Sequence, residues 1–171
     1  MTPSVPLPEV TGRVAEALAS FGAEPSDLYR ALANDEIVAE LWIRFAWGLR
    51  QGSKTPRALR ELMILRGAQL QEAGYVWRDH TAMARAAGVS EEQIGGLASW
   101  QASDQFDEAT RACLAITEEM VAGQVSDETL DRLAMWFTAE DRVELIVTAG
   151  FYCMVPRVLN ALRLTSGDTG E

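Results

Sequence analysis

The sequence predicts an all-α protein, and three observations lead to this prediction. Apolar residues recur every three or four positions along most of the chain, which is the spacing of one helix face. Ser, Thr and Asp residues that suit helix starts alternate with glycines that suit helix ends. No convincing stretch alternates apolar and polar residues as a half-buried strand does. We therefore expect a helical bundle.

These signals define nine helices. Their predicted limits are 9–20, 26–33, 35–50, 56–72, 75–87, 91–99, 107–122, 127–137 and 139–163. The starts carry side chains that accept a hydrogen bond from the next turn, or a proline that fits the first turn. These start residues are Asn34 or Asp35, Thr55 before Pro56, Ser90 with Gln93, Ser126, and Thr138 with Asp141.

Glycines mark the ends of the helices, because glycine readily adopts the left-handed conformation that follows a last turn. The residues assigned to this role are Gly22, Gly52, Gly74, Gly88 and Gly123. Pro156 lies inside the last helix. It is expected to kink or interrupt that helix, because its nitrogen has no hydrogen to donate.

Length and charge limit the class of protein. The 171 residues suit one domain over 1–171, with a proline-rich N-terminal arm at 1–8 and a flexible tail at 165–171. The net charge of −10 repels phosphate backbones, so we expect no nucleic-acid partner. No apolar run approaches the roughly 18 residues of a membrane span. The first residues do not resemble a secretory signal, so we expect a cytoplasmic protein without a membrane partner.

Two predicted helices are apolar on nearly every side. They are the segment 58–70 and the last helix. Such helices need cover all round, and one chain of this length is not expected to cover both. The sequence therefore predicts a homo-oligomer.

The scarcest residues restrict the chemistry. The chain has one histidine, His80, and two cysteines, Cys113 and Cys153, which do not form a zinc-binding set or a CxxC pair. The two cysteines are predicted to be buried thiols, with a disulfide between them as the alternative. No phosphate-binding or nucleotide-binding motif is present, so we expect no metal and no organic cofactor. Acid–base chemistry through His80 and carboxylates remains.

His80 is the first catalytic candidate. It shares the apolar side of its helix with Val76, Met83 and Ala84. An imidazole in such a place can carry a proton near neutral pH. The alternative is a core histidine satisfied by one hydrogen bond.

Glu61 is the second candidate. Its neighbours at helical spacing are Ile64, Leu65 and Ala68, and a carboxylate among such residues needs a partner. The alternative is a first-turn glutamate that pairs with Arg57, four residues earlier, and is favoured by the helix dipole.

Five further residues are candidates for binding a small molecule. Arg66 lies among apolar neighbours, where Glu61 or a substrate carboxylate could pair with it. Tyr75 and Trp77 lie within about one turn of His80, and Tyr152 and Arg157 form a second polar pair in apolar company. For these aromatic residues the alternative role is core packing.

The order of several short blocks resembles a known family. The blocks are RELMILR (60–66), YxWxxH (75–80), ARAAGVS (84–90), GQVSD (123–127), GFYCM (150–154) and RVLNAL (157–162). Together, from about residue 28 onward, they resemble the carboxymuconolactone decarboxylase family, which includes the alkylhydroperoxidase D (AhpD) proteins. The resemblance implies an all-helical fold and a homo-oligomer (dimer, trimer or hexamer).

The resemblance also assigns roles to residues. In the peroxidase branch of the family a glutamate, a CxxC pair and a histidine follow one another, and the glutamate and histidine match Glu61 and His80. The two cysteine positions match Ala73 and Val76, so the dithiol cycle of that branch cannot run here. Members similar to the lactone decarboxylase often have an acidic residue where Val76 stands.

Three hypotheses follow. The first is a cofactor-independent lyase or isomerase that acts on a small carboxylated or lactone-like molecule through Glu61 and His80. The second is a non-catalytic oligomer that binds a small ligand or a partner protein. The third is a hydroperoxide-reducing enzyme, which the missing CxxC pair disfavours.

Overall fold

The structure is a computed structural model that describes residues 2–164, and this part of the chain contains helices and no strand. The helices are α1 (Gly12–Ser20), α2 (Asp27–Leu32), α3 (Glu36–Gly52), α4 (Arg57–Leu70), α5 (Gly74–Ala86), α6 (Glu91–Gly96), a 3-10 helix (Leu97–Ala102), α7 (Glu108–Ala122), α8 (Asp127–Trp136) and α9 (Ala139–Ala161). The predicted all-α class is confirmed. The predicted tail at 165–171 lies outside the described residues.

Capping side chains start the helices largely where the sequence predicts. The Asp35 carboxylate accepts hydrogen bonds from the first turn of α3, and Ser90 with Gln93 forms a capping box at α6. Thr138 and Asp141 cap each other in the same reciprocal way before α9. Local hydrogen bonding is therefore enough to place these starts.

The turn between α4 and α5 differs from the prediction. The sequence assigns Gly74 to the end of α4, whereas Gly74 is the first residue of α5. Glu72 takes the left-handed position instead, with φ 51°. The amide of Ala73 donates to the carbonyl of Ala68 at 2.9 Å, and that of Glu72 donates to Gln69 at 3.2 Å. This pattern is a Schellman motif, and its hydrogen bonds hold a glutamate where glycine is usual.

The described chain forms two compact units, and the single domain stays a prediction. Of the described residues, one unit contains 2–53 together with 157–164. Its core is formed by apolar residues of α1 and α3: Val14, Ala17, Leu18, Ala39 and Ile43. Within this unit the side chain of Arg30 donates to the carbonyls of Leu7 and Pro8, so hydrogen bonds fix the end of the predicted N-terminal arm.

The second unit spans Lys54–Pro156 and surrounds α4. Leu62 and Leu65 of α4 pack with residues of α5 to α7, and Leu59 and Met63 pack with residues of α7 to α9. Helix α4 is therefore buried nearly all round, as its sequence predicts. The second unit covers this helix without a further chain.

Helix α9 continues through Pro156 and is not interrupted there. The proline nitrogen cannot donate to the carbonyl of Tyr152, four residues earlier. The side-chain amide of Gln71 donates to that carbonyl at 3.0 Å instead. This bond satisfies the orphaned acceptor and joins α9 to the end of α4.

By length and mean hydropathy, α9 meets the criteria for a membrane span. Its residues Leu145 and Ala149, however, are buried in the core of the second unit. A core helix of a helical domain meets the same criteria, and the packing of α9 agrees with that role.

Candidate active site

Glu61 and His80 lie on the neighbouring helices α4 and α5. Glu61 is in the second turn of α4, and His80 is near the middle of α5. The Schellman turn reverses the chain, so that α5 packs along α4 more extensively than any other helix. Two residues that are 19 positions apart in sequence thereby come within hydrogen-bond distance.

A short hydrogen bond joins the two side chains. His80 Nδ1 lies 2.7 Å from Glu61 Oε2, with Glu61 fully buried and His80 8% exposed. Because an ionised carboxylate only accepts hydrogen bonds, Nδ1 carries the hydrogen. The other ring nitrogen, Nε2, then presents its lone pair away from Glu61.

The second carboxylate oxygen has a different partner. The guanidinium of Arg57, one turn earlier on α4, forms an ion pair with Glu61 Oε1. Arg57 also lies 3.8 Å from the sulfur of Met83 and is 26% exposed. The positive charge of Arg57 offsets part of the cost of burying the carboxylate.

Tyr152 of α9 borders the histidine. Its ring meets the imidazole edge to face, with 4.9 Å between centroids and 84° between planes. The hydrogen bond from Gln71 to the Tyr152 carbonyl anchors the backbone at this contact. The orientation of the imidazole is therefore restricted from two sides, by Glu61 and by Tyr152.

Glu144 of α9 holds the segment that leads into α4. Its two carboxylate oxygens accept from the amides of Lys54 at 2.8 Å and Thr55 at 2.9 Å. Burial raises the pKa of the Glu144 carboxyl, but these hydrogen bonds and the charge of Arg60 outweigh it, so the pKa lies below its usual range. Glu144 thus fixes the start of the helix that carries Arg57 and Glu61.

Arg60 is a buried charge beside this site. It is 4% exposed, and its Nε donates to the carbonyl of Thr55 at 3.3 Å. Burial, followed by the charge of Arg57, lowers the pKa of the Arg60 guanidinium, whereas Glu144 and Glu61 oppose the change. The charge of Arg60 therefore interacts with the carboxylates of both Glu144 and Glu61.

The structure places the other predicted binding residues in different surroundings. Arg66 pairs with Glu118 of α7, with 2.8 Å from Nε to Oε1, and not with Glu61. Trp77 packs against the core around Leu62, and Tyr75 is half-buried in the first turn of α5. Arg157 is exposed on the part of α9 that belongs to the first unit.

Three polar residues near the site were not among the sequence candidates. They are Arg60, Gln71 and Glu144. Arg60 had a detectable signal, because it is a charge on the most apolar helix of the chain. Gln71 and Glu144 had none, since their partners are backbone groups at residues 81 and about 90 positions away.

No group of three potential metal ligands occurs among residues 2–164. Among residues 2–164 neither cysteine forms a disulfide. Cys113 is buried as predicted, whereas Cys153 is only partly buried, so the prediction of two buried thiols is wrong for Cys153. Burial, and then the charge of Asp107, raises the pKa of the Cys113 thiol to about 12. Ala73 and Val76 are both buried.

Fold and geometry together define a class: helical proteins in which two adjacent helices hold a buried carboxylate against a histidine. Residues 36–119 match the model of the carboxymuconolactone decarboxylase family. Over this segment the chain is a member of that family, and its fold is the AhpD-like helical fold.

Known proteins with a similar sequence or fold support this assignment. An uncharacterized protein of Bacillus subtilis (strain 168), YdfG, is 28% identical over 98 residues, which are 56% of this chain and 67% of YdfG. A protein of unknown function from Agrobacterium tumefaciens, provisionally assigned as the antioxidant defence protein AhpD, has a TM-score of 0.67 at 22% identity, covering 75% of this chain and 89% of its own. The C82A variant of the debrominase Bmp8, in complex with 2,3,4-tribromopyrrole, has a TM-score of 0.76 at 16% identity, covering 90% of this chain and 83% of its own. At such identities the two structures show the fold alone.

Proposed function

We propose that this protein is a cofactor-independent acid–base enzyme that acts on a small carboxylated or lactone-like molecule, with His80 as the proton carrier. The observation that carries the proposal is the 2.7 Å hydrogen bond between His80 and the fully buried Glu61. A buried carboxylate on Nδ1 stabilises the imidazolium and leaves Nε2 as the atom that exchanges a proton with the substrate.

The proposed reaction is decarboxylation next to a carbonyl or lactone group. The bond between the carboxylate carbon and the substrate breaks, carbon dioxide leaves, and the electron pair remains on the substrate as an enolate. His80, protonated on both ring nitrogens, then donates the Nε2 proton to the carbon and becomes the neutral imidazole that Glu61 holds through Nδ1. A proton from solvent restores the imidazolium. In an isomerisation, His80 would first remove a proton from the substrate as a base and then return a proton to it as an acid.

Among the residues around Glu61 and His80, Arg57 is the best placed to orient an anionic substrate. Its side chain is partly exposed, forms an ion pair with Glu61 and approaches the sulfur of Met83. The remaining guanidinium hydrogens can face a substrate carboxylate. Arg66, an earlier candidate for this role, is engaged by Glu118. Arg157, Tyr75 and Trp77 stay candidates for substrate contact.

One observation favours the alternative, a binding protein without turnover. Ala73 and Val76, which match the cysteine positions of the peroxidase branch, are buried and apolar. A site that has lost reactive groups can still bind a small molecule. A dithiol peroxidase is disfavoured, because neither position carries a thiol.

The first test uses the only histidine of the sequence. An NMR pH titration of the labelled imidazole is compared between the wild type and Glu61→Gln. We expect the titration midpoint to differ between the two proteins, because Glu61→Gln removes the carboxylate that contacts Nδ1. Asp79→Asn is the matched control, since Asp79 is exposed and adjacent in the chain, and it should leave the midpoint nearly unchanged. Equal midpoints in all three proteins would contradict the coupling.

The second test is turnover. Wild type, His80→Gln and Arg78→Gln are assayed on a panel of lactones with and without a carboxylate. Arg78 is an exposed residue of the same helix, so its variant is the control. We expect activity on at least one carboxylated lactone that falls at least 100-fold in His80→Gln alone. Full activity in a folded His80→Gln protein would exclude the mechanism, and binding without turnover would favour the alternative.

We also propose a cytoplasmic location and a partner set limited to small molecules and further copies of this chain. Cys113 and Cys153 are not joined by a disulfide, which suits a reducing compartment. The net charge of −10 does not favour nucleic acid.

A further inference from the structure

Met83 lies beside the candidate active site, one turn beyond His80 on α5. On α4, Arg57 lies one turn before Glu61. Glu61 contacts His80 and Arg57 contacts Met83, so the two helices run antiparallel along this line. The methionine contact is therefore the next contact along the helix pair from the hydrogen bond that carries the proposed chemistry.

A single nitrogen of Arg57 joins the methionine to the buried carboxylate. Its Nη2 atom forms the ion pair with Glu61 Oε1 and lies 3.8 Å from Met83 Sδ. A thioether sulfur accepts hydrogen bonds only weakly, so the carboxylate is the stronger of these two acceptors. A change that turns the sulfur group into a strong acceptor would therefore act on the ion pair of Arg57 with Glu61.

We propose that Met83 is a modification site, at which a peroxide forms methionine sulfoxide and thereby weakens the ion pair that supports the Glu61–His80 hydrogen bond. The lone pair of Sδ attacks one oxygen of hydrogen peroxide, the O–O bond breaks, and an S–O bond forms. The other oxygen leaves as water with both hydrogens, so the sulfur is oxidised and the peroxide is reduced. As regulation of the same site, this step rests on the proposed function.

Solvent exposure makes the sulfur available to a small oxidant. Met83 is half-buried and the side chain of Arg57 is 26% exposed, whereas Glu61 is fully buried. A peroxide can therefore approach the contact between Arg57 and Met83 from solvent without opening the core. Met63 of α4 is only 1% exposed and provides a protected methionine for comparison.

The new oxygen does not fit into the present contact. An N–H···O hydrogen bond of about 2.9 Å would leave about 0.9 Å of the 3.8 Å between Arg57 Nη2 and Met83 Sδ, which is shorter than an S–O bond. The guanidinium must therefore shift in order to donate to an oxygen placed between the two atoms. Because the same nitrogen pairs with Glu61, this shift moves positive charge away from Oε1. The carboxylate that holds His80 Nδ1 then has a weaker partner on its other side.

Mass spectrometry and NMR test the proposal without a substrate. After mild treatment of the native protein with hydrogen peroxide, the peptide that contains Met83 should gain one oxygen, and Met63 should stay unmodified until the protein is denatured. In the same sample the imidazole signals of His80 should shift, and its titration midpoint should change. Met83→Leu, a substitution of similar volume, should abolish both responses of His80 to peroxide.

Two other methionines provide matched controls. Met135 and Met154 are 76% and 42% exposed, and Met135→Leu and Met154→Leu each remove one accessible thioether while Met83 stays in place. Both variants should keep the full response of His80 to peroxide. Treatment with the two classes of methionine sulfoxide reductase should restore the original signals. An unmodified Met83, a response that persists in Met83→Leu, or signals that the reductases do not restore would overturn the proposal.

Arg57→Gln tests whether the effect passes through the ion pair. In this variant peroxide should still oxidise Met83, but the signals of His80 should no longer respond. If a folded Arg57→Gln protein responds as the wild type does, the sulfoxide reaches His80 by another route and the proposal is wrong.

Turnover separates this proposal from the proposed function. On a substrate found in the lactone panel, kcat/KM of the oxidised wild type should fall by about tenfold or more, since small displacements of an orienting group reduce the rate. Oxidised Met83→Leu should keep the activity that it has before oxidation. Unchanged turnover in wild type with fully oxidised Met83 would overturn the regulation. Absence of turnover in every protein would contradict the proposed function alone, because the NMR response would still decide whether Met83 acts on the pair.

Discussion

The two oxygens of the Glu61 carboxylate have different partners, and this arrangement determines which ring nitrogen of His80 can exchange a proton. Arg57 neutralises the buried charge through Oε1, so that Oε2 is available to hold Nδ1 of the imidazole. These two contacts offset part of the desolvation cost of the fully buried carboxylate. The catalytic potential of His80 therefore depends on a side chain that does not contact the imidazole.

Cys113 gives a prediction at the same scale. Burial raises the pKa of its thiol to about 12, so almost none of it is thiolate at pH 8. In native protein treated with iodoacetamide at pH 8, Cys113 should stay unmodified in a peptide mass spectrum. After denaturation it should react fully, and this sample is the control. Rapid modification of Cys113 in the native protein would contradict its placement in the core.

Between elements, Gln71 supplies the hydrogen bond that Pro156 removes from α9. Gln71→Leu should leave the Tyr152 carbonyl without its donor and lower the free energy of unfolding by about 1–3 kcal/mol in urea titration. In a Pro156→Ala background the helix can supply its own N–H, so the same substitution should cost less. A double-mutant cycle measures this difference. Equal costs in both backgrounds would show that the two residues act independently.

The turn between α4 and α5 stores backbone strain at Glu72, where φ is 51°. Glu72→Gly should stabilise the protein by about 0.5–1 kcal/mol, because glycine adopts this conformation without a steric cost from Cβ. Thermal unfolding followed by circular dichroism measures the change. Gly88→Ala, at φ 91°, is the reciprocal control and should destabilise by a similar amount. A lower melting temperature in Glu72→Gly would mean that the Glu72 side chain contributes more than its backbone costs.

For the whole molecule, Glu144 predicts an acid-sensitive step. A glutamate whose pKa is lower in the folded protein than in the unfolded chain stabilises the fold at pH values above the unfolded pKa, which is about 4.3. This stabilisation is lost as the pH falls through the lower pKa of the folded protein. Glu144→Gln should therefore destabilise the protein at pH 7 by about 1–2 kcal/mol, from the loss of charged hydrogen bonds. The difference from wild type should shrink in urea titrations toward pH 3.

Glu140→Gln is the control for this series. Within residues 2–164, Glu140 pairs with the exposed ammonium of Lys54, and such exposed pairs contribute little to stability. Its variant should follow the wild type at every pH. A Glu144→Gln difference that stays constant between pH 7 and pH 3 would contradict the assigned role of the carboxylate.

Much of the fold follows from local signals, because caps and apolar spacing act within one or two turns. Ser90 with Gln93 and Thr138 with Asp141 start their helices as predicted. The end of α4 was predicted wrongly, because the Schellman hydrogen bonds hold Glu72 in a conformation that sequence preference gives to glycine. The path of α9 through Pro156 also depends on a distant side chain, Gln71, which no local rule includes.

The sequence by itself determined the all-α class, the apolar character of α4 and the presence of Glu61 and His80 on neighbouring helices. These properties come from residue type and short-range spacing. Helical spacing already offered Arg57 as a partner for Glu61. Tertiary structure alone decided that Glu61 contacts His80, that Arg66 pairs with Glu118, and that Ile37 and Leu41 of α3 are exposed. A pattern on one helix shows which residues share a face. Which helix packs on that face depends on contacts between segments far apart in the chain.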